Sequence, residues 1–525
     1  MFSNCFLLSI IFKEVSDLSI EIISATHNGL DGMLVSVEVD ISRGMPSFSI
    51  VGLPDASVKE SKERVRSAII NSGYEFPLGR ITINLAPADI RKIGSLLDLP
   101  IAIGILMKSS QIVQRDLKDF IIFGELSLAG DLKEIKGILP IIFEGESNKK
   151  NNFIFPLSNL NELRYFNIGN FYPFKTLNEV ISFIDNKDLL PYIFEDERKI
   201  ERKEYLDYGE IIGQRTSKRV MEISAAGKHN VLLYGSPGSG KTMLAKAIPS
   251  IMPPLNDYEE MEIAKIYSAS GLLSGEDGIF RPFRNPHHTI TRTALAGGGK
   301  EIKVGEITLA HNGILFLDEI LEFKRDVLEV LREPLEEKII NINRLNGTYK
   351  LPSNFLLIAA CNPCPCGLYL GGGIGDGKCV CSENERKRYM GRLSRALLDR
   401  IDLLNYVPRL KYEDISNKSD NLTSEKMKEN VIKAREIQKI RYRNTKYNYN
   451  SEVKGKDIES LFKISNSAKD LLGNYYEKFD LTMRGYDKIL KVARTIADLD
   501  NSEKVCEYHI FEALGYRKNI EGEIV

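Results

Sequence analysis

The sequence predicts an α/β protein whose C-terminal part is a small helical domain. Short β-rich runs alternate with helical patterns from about residue 19 to 185. Apolar strand signals then recur at 231–234, 313–317 and 355–360. Each is followed by glycine-rich or acidic turns, as at the carboxyl ends of a parallel sheet. After residue 410, Lys, Glu, Ile and Leu recur at helical spacing with few glycines, which predicts helices.

The domain organisation follows from length and from one change in composition. A chain of 525 residues exceeds one ordinary domain, and its size suggests three. Between 191 and 207 the sequence becomes charged and loses its apolar period, which predicts a linker. The predicted units are an N-terminal extension at 1–18, an α/β domain at 19–190, the linker at 191–207, a second α/β domain at 208–409 and a helical domain at 410–525.

Composition limits the expected partners and location. With 71 basic and 72 acidic residues the formal net charge is −1, so nucleic acid would be bound by local patches and not by a global field. The apolar run at 5–12 is too short to span a bilayer, and it lacks the preceding Lys or Arg of a signal peptide. Four of the seven cysteines form two close pairs, which indicates metal ligation in a reducing compartment. We therefore expect a cytoplasmic protein with no membrane partner.

The segment GSPGSGKT has the pattern of a P-loop. It follows the strand signal at 231–234 and opens a helical stretch, the context that separates a P-loop from a chance glycine match. Its residues are Gly235, Ser236, Pro237, Gly238, Ser239, Gly240, Lys241 and Thr242. Backbone N–H groups of such a loop surround the phosphates of ATP, Lys241 reaches the β- and γ-phosphates, and the Thr242 hydroxyl binds Mg²⁺. A merely structural glycine-rich turn is the alternative.

Further polar residues complete a predicted ATP site. In ILFLDE, Asp318 would hold Mg²⁺ through water and Glu319 would be the general base, the alternative being a strand with an acidic cap. Asn362 follows the third strand signal and would orient the attacking water, unless it belongs to an ordinary Asn-Pro turn. Phosphoryl transfer also needs positive charge near the γ-phosphate. Arg400 in LLDRID and Arg484 in LTMRGY are the candidates, although most helical arginines are solvated or paired.

Several long segments together resemble one family. They are DGMLVSVEVDISRGMPSFSIVGLPDASVKESKERVRSAI, ITINLAPADIRKIGSLLDLPIAIGIL, GELSLAGDL, RPFRNPHHTIT, GEITLAHNGILFLDE, CNPCPCG and LLDRIDL. In this order they resemble the Mg-chelatase-like AAA+ ATPases of the ComM/YifB type, over nearly the whole chain from about residue 19. Residues 1–18 do not match the usual short start of the family, so no function is assigned to them.

The resemblance implies a fold and an activity. The fold would be a Lon-protease-like (S5-like) N-terminal domain, a central AAA+ module with a helix-2 insert and a helical Mg-chelatase-type C-terminal lid. ATP would assemble a hexameric ring in which Arg400 is the arginine finger on the neighbour's ATP and Arg484 the sensor-2 arginine. Family members that work in natural transformation resemble helicases that drive DNA branch migration. The expected substrate is single-stranded or branched DNA, bound without sequence preference.

Two other classes of function compete with the helicase. A chelatase-like motor subunit that remodels a partner protein ranks second, and an ATP-dependent protease ranks third. NLAPADIRKIGSLLDLP and GELSLAGDLKEIKGILP resemble the parts of Lon proteases that carry the nucleophilic serine and its lysine base, but Leu96 and Pro140 occupy those positions. A serine with no lysine in reach is not activated, so peptidase activity is not expected. Ser95 with Lys92 or Lys136 is the remaining alternative.

Two C-x-C pairs predict a zinc-binding loop at 361–381. The predicted ligands are Cys364, Cys366, Cys379 and Cys381. Four thiolates on a glycine-rich loop match a structural tetrahedral Zn²⁺ site, and a redox role is the alternative. Cys361 precedes the loop and is predicted to be a small core residue of the strand. The expected cofactors are thus ATP, Mg²⁺ and a structural Zn²⁺.

Histidines and basic stretches allow weaker inferences. His287 and His288 are not expected to bind a metal, because adjacent histidines point apart on a strand or helix and no carboxylate partner is near them in the sequence. The resemblance places them in the helix-2 insert, which implies that they are structural or contact substrate. Two basic sets could neutralise phosphates, with nearby Tyr442, Tyr447 and Tyr449 available for base stacking. The sets are Arg386, Lys387, Arg388, Arg392 and Arg395, and Lys433, Arg435, Lys439, Arg441, Arg443 and Lys446. A solvated helix face is the alternative for both sets.

Overall fold

A computed structural model of the chain describes two compact units. The described residues are 19–88, 92, 94–166, 168–186, 189–194, 204–273, 278–299, 303–344, 347–369, 379–410 and 422–517. The first unit contains those up to 194 together with those of Ala264–Ile279, and the second contains the rest. The predicted extension at 1–18 lies outside the described residues, as do 195–203 of the predicted linker.

The first unit has strands in two sheets and a short hairpin. Its strands are β1 Ile20–Asn28, β2 Asp31–Ser42, β3 Ser47–Val51, β4 Arg80–Ala86, β5 Phe120–Ile122, β6 Glu125–Leu126, β7 Leu132–Lys133, β8 Asn152–Pro156 and β9 Asn170–Phe174. The first sheet has the order β1-β2-β4-β3 and is antiparallel except for the parallel pair β3 and β4. The second sheet, β5-β8-β9, is parallel.

Helices cover these sheets for reasons visible in the sequence. They are α1 Ala56–Asn71, α2 Asp98–Lys108, α3 Ile138–Ser147 and α4 Leu177–Asn186. The Asp55 side chain caps α1 by accepting from the Val58 N–H. In β2, Val35, Val37 and Val39 alternate on the buried face, as a half-buried strand requires. Nearly all of α2 is buried, which explains why its sequence is apolar on all sides.

The second unit is built on a five-stranded parallel sheet. Its strands are β10 Val231–Tyr234, β11 Phe283–Arg284, β12 Gly297–Gly298, β13 Lys303–Val304, β14 Ile314–Leu317, β15 Ile339–Arg344, β16 Gly347–Pro352, β17 Leu356–Cys361 and β18 Leu403–Tyr406. The sheet has the order β11-β14-β17-β10-β18, and β12-β13 and β15-β16 form separate antiparallel pairs. The three predicted strands are therefore present as β10, β14 and β17. All residues of these three are buried, in agreement with their apolar runs.

Short helices surround this sheet and longer ones form the C-terminal region. They are α5 Arg215–Gly227, α6 Lys241–Ala247, α7 Asp257–Ala269, α8 Arg292–Ala296, α9 Glu306–Leu309, α10 Arg325–Glu329, α11 Arg332–Glu337, α12 Glu383–Met390, α13 Arg395–Leu398, α14 Ser424–Tyr442, α15 Lys456–Leu461, α16 Asn466–Lys478, α17 Met483–Leu499 and α18 Glu507–Gly515. One continuous apolar core joins the sheet to α14 and α17. The predicted α/β class with a helical C-terminal region is confirmed. No helix within the described ranges has both the length and the apolar character needed to cross a bilayer.

Candidate nucleotide site and cysteine cluster

The predicted P-loop lies at the carboxyl end of β10. Its first N–H, from Gly235, donates to the Cys361 carbonyl on the adjacent β17 at 3.3 Å. A Cβ on Gly235 would lie 2.3 Å from the carbonyl oxygen of Val407, so a larger residue does not fit there. Gly238 and Gly240 have φ values of 76° and 97°, which glycine adopts without strain. Close approach and backbone conformation therefore account for the glycines of this loop.

Lys241 lies inside the loop and is almost completely buried. Its Nζ donates to the carbonyl oxygens of Gly235 at 2.7 Å and Ser236 at 3.0 Å. It also lies 3.3 Å from Oδ1 of Asn362, which follows β17. Burial lowers the pKa of Lys241. The structure thus brings the predicted phosphate-binding lysine and the predicted water-orienting asparagine within hydrogen-bond distance.

The two predicted magnesium ligands meet at the carboxyl edge of the sheet, although β17 separates their strands β10 and β14. Thr242 Oγ1 donates to Asp318 Oδ2 at 2.8 Å. Hydroxyl and carboxylate oxygens are the ligands that Mg²⁺ prefers, and this pair fits a partly hydrated ion. The backbone N–H of Glu319 donates to the other oxygen of Asp318 at 3.0 Å. Glu319 has φ of 51°, and its side chain is 58% exposed at the same edge of the sheet.

Gln214 supports the P-loop, although no motif around it in the sequence indicated this role. Its Nε2 donates to the Ser239 carbonyl at 3.2 Å and to the Pro408 carbonyl at 2.7 Å. These bonds connect the P-loop to the segment that follows β18. The only local signal was a polar residue directly before α5, which is too common to indicate this contact.

The two predicted catalytic arginines lie at the opposite, amino edge of the sheet. Arg400 precedes β18, and its carbonyl accepts a hydrogen bond of 2.8 Å from the side chain of Asn230, directly before β10. Arg484 Nη1 lies 3.7 Å from Asp399 Oδ2. Four strand residues separate the two edges, which corresponds to about 13 Å. Neither arginine is therefore placed beside Lys241 of its own chain.

Both arginines line one cavity of about 740 Å³ in the second unit. Arg400 is bonded to Glu336 and to the Ala396 carbonyl, and its buried Nε has no hydrogen-bond partner among the described residues. Arg484 is 69% exposed. Six lysines share this cavity, namely Lys228, Lys338, Lys446, Lys454, Lys488 and Lys491. Burial lowers the pKa of Lys228 to about 7 and that of Lys488 to about 8. Six carboxylates also line this cavity, namely those of Glu336, Glu337, Asp399, Asp402, Glu452 and Asp487, so its charges are mixed, with eight basic side chains against six acidic ones.

The expectation that no carboxylate lies near the histidine pair is wrong, because the parallel strands β11 and β14 bring the pair close to the predicted general base. The rings of His287 and His288 are 4.1 Å apart between centroids, and His288 Nδ1 lies 3.8 Å from Glu319 Oε2. His287 Nδ1 lies 2.9 Å from the hydroxyl of Thr289. Within the described part of the chain, the one group of His, Cys, Asp and Glu close enough to hold a metal is the cysteine cluster.

The four predicted zinc ligands converge. Cys364 Sγ lies 3.4 Å from Cys366 Sγ and 3.7 Å from Cys379 Sγ, and the four sulfurs, including that of Cys381, all lie within 4.8 Å of one another. Four sulfurs at 2.3 Å from a tetrahedral Zn²⁺ would be about 3.8 Å apart, so the cluster fits this ion. Residues 370–378 of the predicted loop lie outside the described chain. Cys361 is buried in β17, as predicted.

In the first unit, the serine and lysine considered for peptidase chemistry bond elsewhere. Ser95 Oγ donates to the Glu125 carboxylate, and the buried Lys92 donates to the Pro87 carbonyl. Leu96 and Pro140 are buried core residues. The serine proton is thus directed to a carboxylate and not to a lysine amine.

The predicted tyrosine stacking surface is not present. Tyr442 and Tyr447 are buried, and their hydroxyls donate to Asn450 at 2.5 Å and Asp457 at 2.6 Å. The third tyrosine, Tyr449, is covered by a guanidinium 3.6 Å from its ring centroid. The apolar core takes up the rings of Tyr442 and Tyr447, and a guanidinium covers the half-buried ring of Tyr449, so these rings do not form an open stacking surface.

Together the fold and this site define a class of protein. The P-loop lies at the carboxyl end of β10, and the Asp-Glu pair follows β14, with β17 between these two parallel strands. This arrangement is the nucleotide site of AAA+ ATPases. The helical region packed on the same core agrees with this class.

Comparison with known proteins gives the family. Residues 207–415 match "Magnesium chelatase, subunit ChlI", residues 37–159 match "Subunit ChlI of Mg-chelatase", and residues 421–517 match "Magnesium chelatase, subunit ChlI C-terminal". Over 500 residues the chain is 41% identical to Competence protein ComM of Haemophilus influenzae, covering 94% of this chain and 96% of that one. It is 39% identical over 493 residues to YifB of Escherichia coli, covering 93% and 95%. The chain belongs to the Mg-chelatase-like AAA+ ATPases of the ComM/YifB type, a family that implies ATPase activity.

Proposed function

We propose that the chain is an Mg-ATP-hydrolysing motor that works as a hexameric ring on DNA. The observation that carries the ring is the position of Arg400, on the opposite edge of the sheet from Lys241. The length of β10, about 13 Å, separates the Arg400 backbone from the P-loop, and the Arg400 guanidinium is bonded to Glu336. This side chain therefore does not serve the γ-phosphate of its own chain. A neighbouring copy that presents its P-loop to this edge would receive the charge that its own site lacks.

Each predicted site residue has a defined role in this proposal. The P-loop backbone and Lys241 hold the phosphates of ATP, and Thr242 with Asp318 holds Mg²⁺, which supplies charge neutralisation when bound. Glu319 accepts the proton of the attacking water, which Asn362 orients. Arg484 lines the same cavity as Arg400, so both would act on the neighbour's nucleotide. The four clustered cysteines would hold one structural Zn²⁺ next to this site.

Gly367 connects the cysteine loop to the nucleotide site. A Cβ added to Gly367 would lie 2.5 Å from Cδ of Pro237, so the backbone of this loop rests on the P-loop. Asn362 and Cys364 are two residues apart on the same segment. Zinc would therefore fix the loop that also carries the water-orienting side chain.

The proposal of a DNA substrate is supported by the relatives and by charge. The Haemophilus relative is named a competence protein. We propose that this chain is a helicase that drives branch migration and acts on single-stranded or branched DNA. With a net charge of −1, local cations such as the exposed Arg388 and Arg395 would bind phosphates without reading bases. The first unit is proposed to be a Lon-like, non-catalytic domain, and the thiol cluster suits a cytoplasmic site of action.

DNA-dependent ATP hydrolysis tests this function. We expect forked or single-stranded DNA to stimulate the ATPase of the assembled ring, with affinity that falls steeply with salt and varies little with sequence. Movement of a branched junction should require ATP. Because the matched families are named for a magnesium chelatase subunit, a partner protein is the competing substrate. If DNA neither binds nor stimulates the ring while a partner protein does, the remodelling motor replaces the helicase.

A further inference from the structure

The segment after β11 brings a histidine to the proposed general base. Strand β11 lies next to β14 and runs parallel to it, so the carboxyl ends of both strands are at the same edge of the sheet. His288 follows the end of β11 by four residues, and Glu319 follows the end of β14 by two. The topology therefore explains why His288 Nδ1 lies only 3.8 Å from Glu319 Oε2.

Local contacts determine which histidine faces the carboxylate. His287 Nδ1 is engaged by the hydroxyl of Thr289 at 2.9 Å, and the His287 carbonyl accepts from the Ile290 N–H at 3.0 Å in a tight turn. The ring of His288 packs against His287 and meets Phe323 edge-on, with 6.4 Å between centroids. These two rings hold the His288 imidazole in place with its Nδ1 on the side of Glu319.

Glu319 needs such a partner for its proposed task. Its main chain is fixed by the bond from its N–H to Asp318, but its carboxylate is more than half exposed on a flexible side chain. A general base acts efficiently only when its oxygen is held on the attacking water. Fixing the main chain alone does not achieve this.

We propose that His288 is the positioning residue of Glu319. In the structure Nδ1 and the Glu319 Oε2 are 3.8 Å apart, beyond hydrogen-bond distance. When the site closes on ATP, Nδ1–H donates to the carboxylate and holds it toward the water. The neutral tautomer with its proton on Nδ1 already supplies this donor, so no change of charge is required. The inference rests on the proposed role of Glu319 and adds that the turn at 285–291 is coupled to hydrolysis.

Two substitutions at position 288 separate the donor from the ring. His288→Phe keeps the packing against His287 and Phe323 but has no donor, whereas His288→Asn places an N–H close to the position of Nδ1. We expect His288→Phe to lower kcat of ATP hydrolysis about tenfold, a part of the 10²- to 10⁴-fold that a general base contributes. KM and the Kd of a fluorescent ATP analogue should change by less than about twofold. His288→Asn should recover most of kcat.

His287→Phe is the matched control, because this ring shares the turn but faces Thr289. It should keep kcat within about twofold of the wild type. An unchanged kcat in His288→Phe overturns the inference, as does an equal loss in the Phe and Asn variants. Glu319→Gln tests the role of Glu319 as general base separately from the role of His288. If Glu319→Gln itself hydrolyses ATP normally, the proposed base is wrong, whereas an inactive Glu319→Gln beside a fully active His288→Phe rejects only the role of His288.

Discussion

Each of the two units contains segments that resemble a catalytic motif. The polar side chains of these segments converge in the second unit, whereas those of the first unit bond to other groups. In the second unit, Thr242 and Asp318 are 76 residues apart in the sequence but 2.8 Å apart in space. In the first unit, Ser95 donates to Glu125 and Lys92 to a backbone carbonyl, so the serine and lysine are each engaged elsewhere. Both units thus resemble a catalytic motif in sequence, but only in the second unit do the polar groups of the motif come together.

The difference has a topological cause. Strands β10, β14 and β17 are parallel neighbours, so the polar residues that follow each of them meet at one edge. In the first unit, Glu125 begins the short antiparallel hairpin of β6 and β7, and its carboxylate reaches Ser95 instead. A catalytic site therefore needs the strand order as well as the motif.

Removing the P-loop lysine should have the largest effect on nucleotide binding and ATP turnover, which are assigned to the second unit alone. Lys241→Ala is expected to abolish nucleotide binding, because its ammonium is the group placed inside the loop. Glu319→Gln should still bind ATP but block turnover. Equilibrium binding of a fluorescent nucleotide and phosphate release measure the two steps. Tight binding by Lys241→Ala would show that the P-loop interpretation is wrong.

Loss of the arginine at the amino edge should come next. Arg400→Ala should leave ATP binding nearly intact and lower hydrolysis by about 10³-fold, the scale of an arginine finger. Mixing this variant with Lys241→Ala should restore part of the activity, because some interfaces then pair an intact finger with an intact P-loop. Steady-state ATPase of the mixture is the measurement. Failure of the mixture to exceed both parents would count against action between subunits.

Metal content tests the cysteine cluster beside the P-loop. We expect about one Zn²⁺ per chain, lost in Cys379→Ser and on chelation, together with local unfolding of the loop. Elemental analysis of protein purified under reducing conditions and limited proteolysis report the two effects. Cys361→Ser is the matched control, since this thiol lies in β17 outside the cluster. Zinc-free wild-type protein would exclude the site.

The first unit should show a pH-dependent stability that does not involve catalysis. Burial raises the pKa of Glu162 to about 7. Hydrogen bonds of 2.8 Å from Ser268 and Asn159 favour the carboxylate and only partly offset this increase. The folded state therefore binds more protons than the unfolded state between about pH 4.5 and 7, and stability falls as pH rises through this window. The loss is up to roughly 3 kcal/mol.

Glu162→Gln should flatten this dependence, because the amide does not titrate. Urea unfolding of both proteins at about pH 5 and about pH 7.5 measures it. An equal loss of stability in the wild type and in Glu162→Gln would assign the pH dependence to other groups.

The smallest effect is expected at the serine of the first unit. Ser95→Ala should leave ATPase activity and the absence of cleavage of an unfolded protein substrate unchanged, since its hydroxyl is bonded to Glu125 and not to a lysine. If the wild type releases peptides in an ATP-dependent way and Ser95→Ala does not, the first unit is catalytic and its proposed non-catalytic role is wrong.

The amino-acid pattern alone was sufficient to predict the α/β class, the P-loop, the Asp318–Glu319 pair and the four clustered cysteines. These features were predictable because each depends on a short stretch of chain. An apolar run followed by glycine or acid is sufficient to predict a strand and its terminal turn. The cysteine pairs likewise fall within one loop, so their convergence needs little of the rest of the fold.

The contacts between segments far apart in the sequence could not be predicted and are visible only in the folded chain. The strand order β11-β14-β17-β10-β18 places His288 beside Glu319, and it puts Arg400, bonded to Asn230 across 170 residues, at the edge opposite Lys241. The packing of the core also buries Tyr442 and Tyr447, two of the tyrosines that the sequence had suggested for base stacking. The physical reason is that separation along a chain does not fix distance across a sheet. Strand order and register fix it, and these arise from the packing of the whole core.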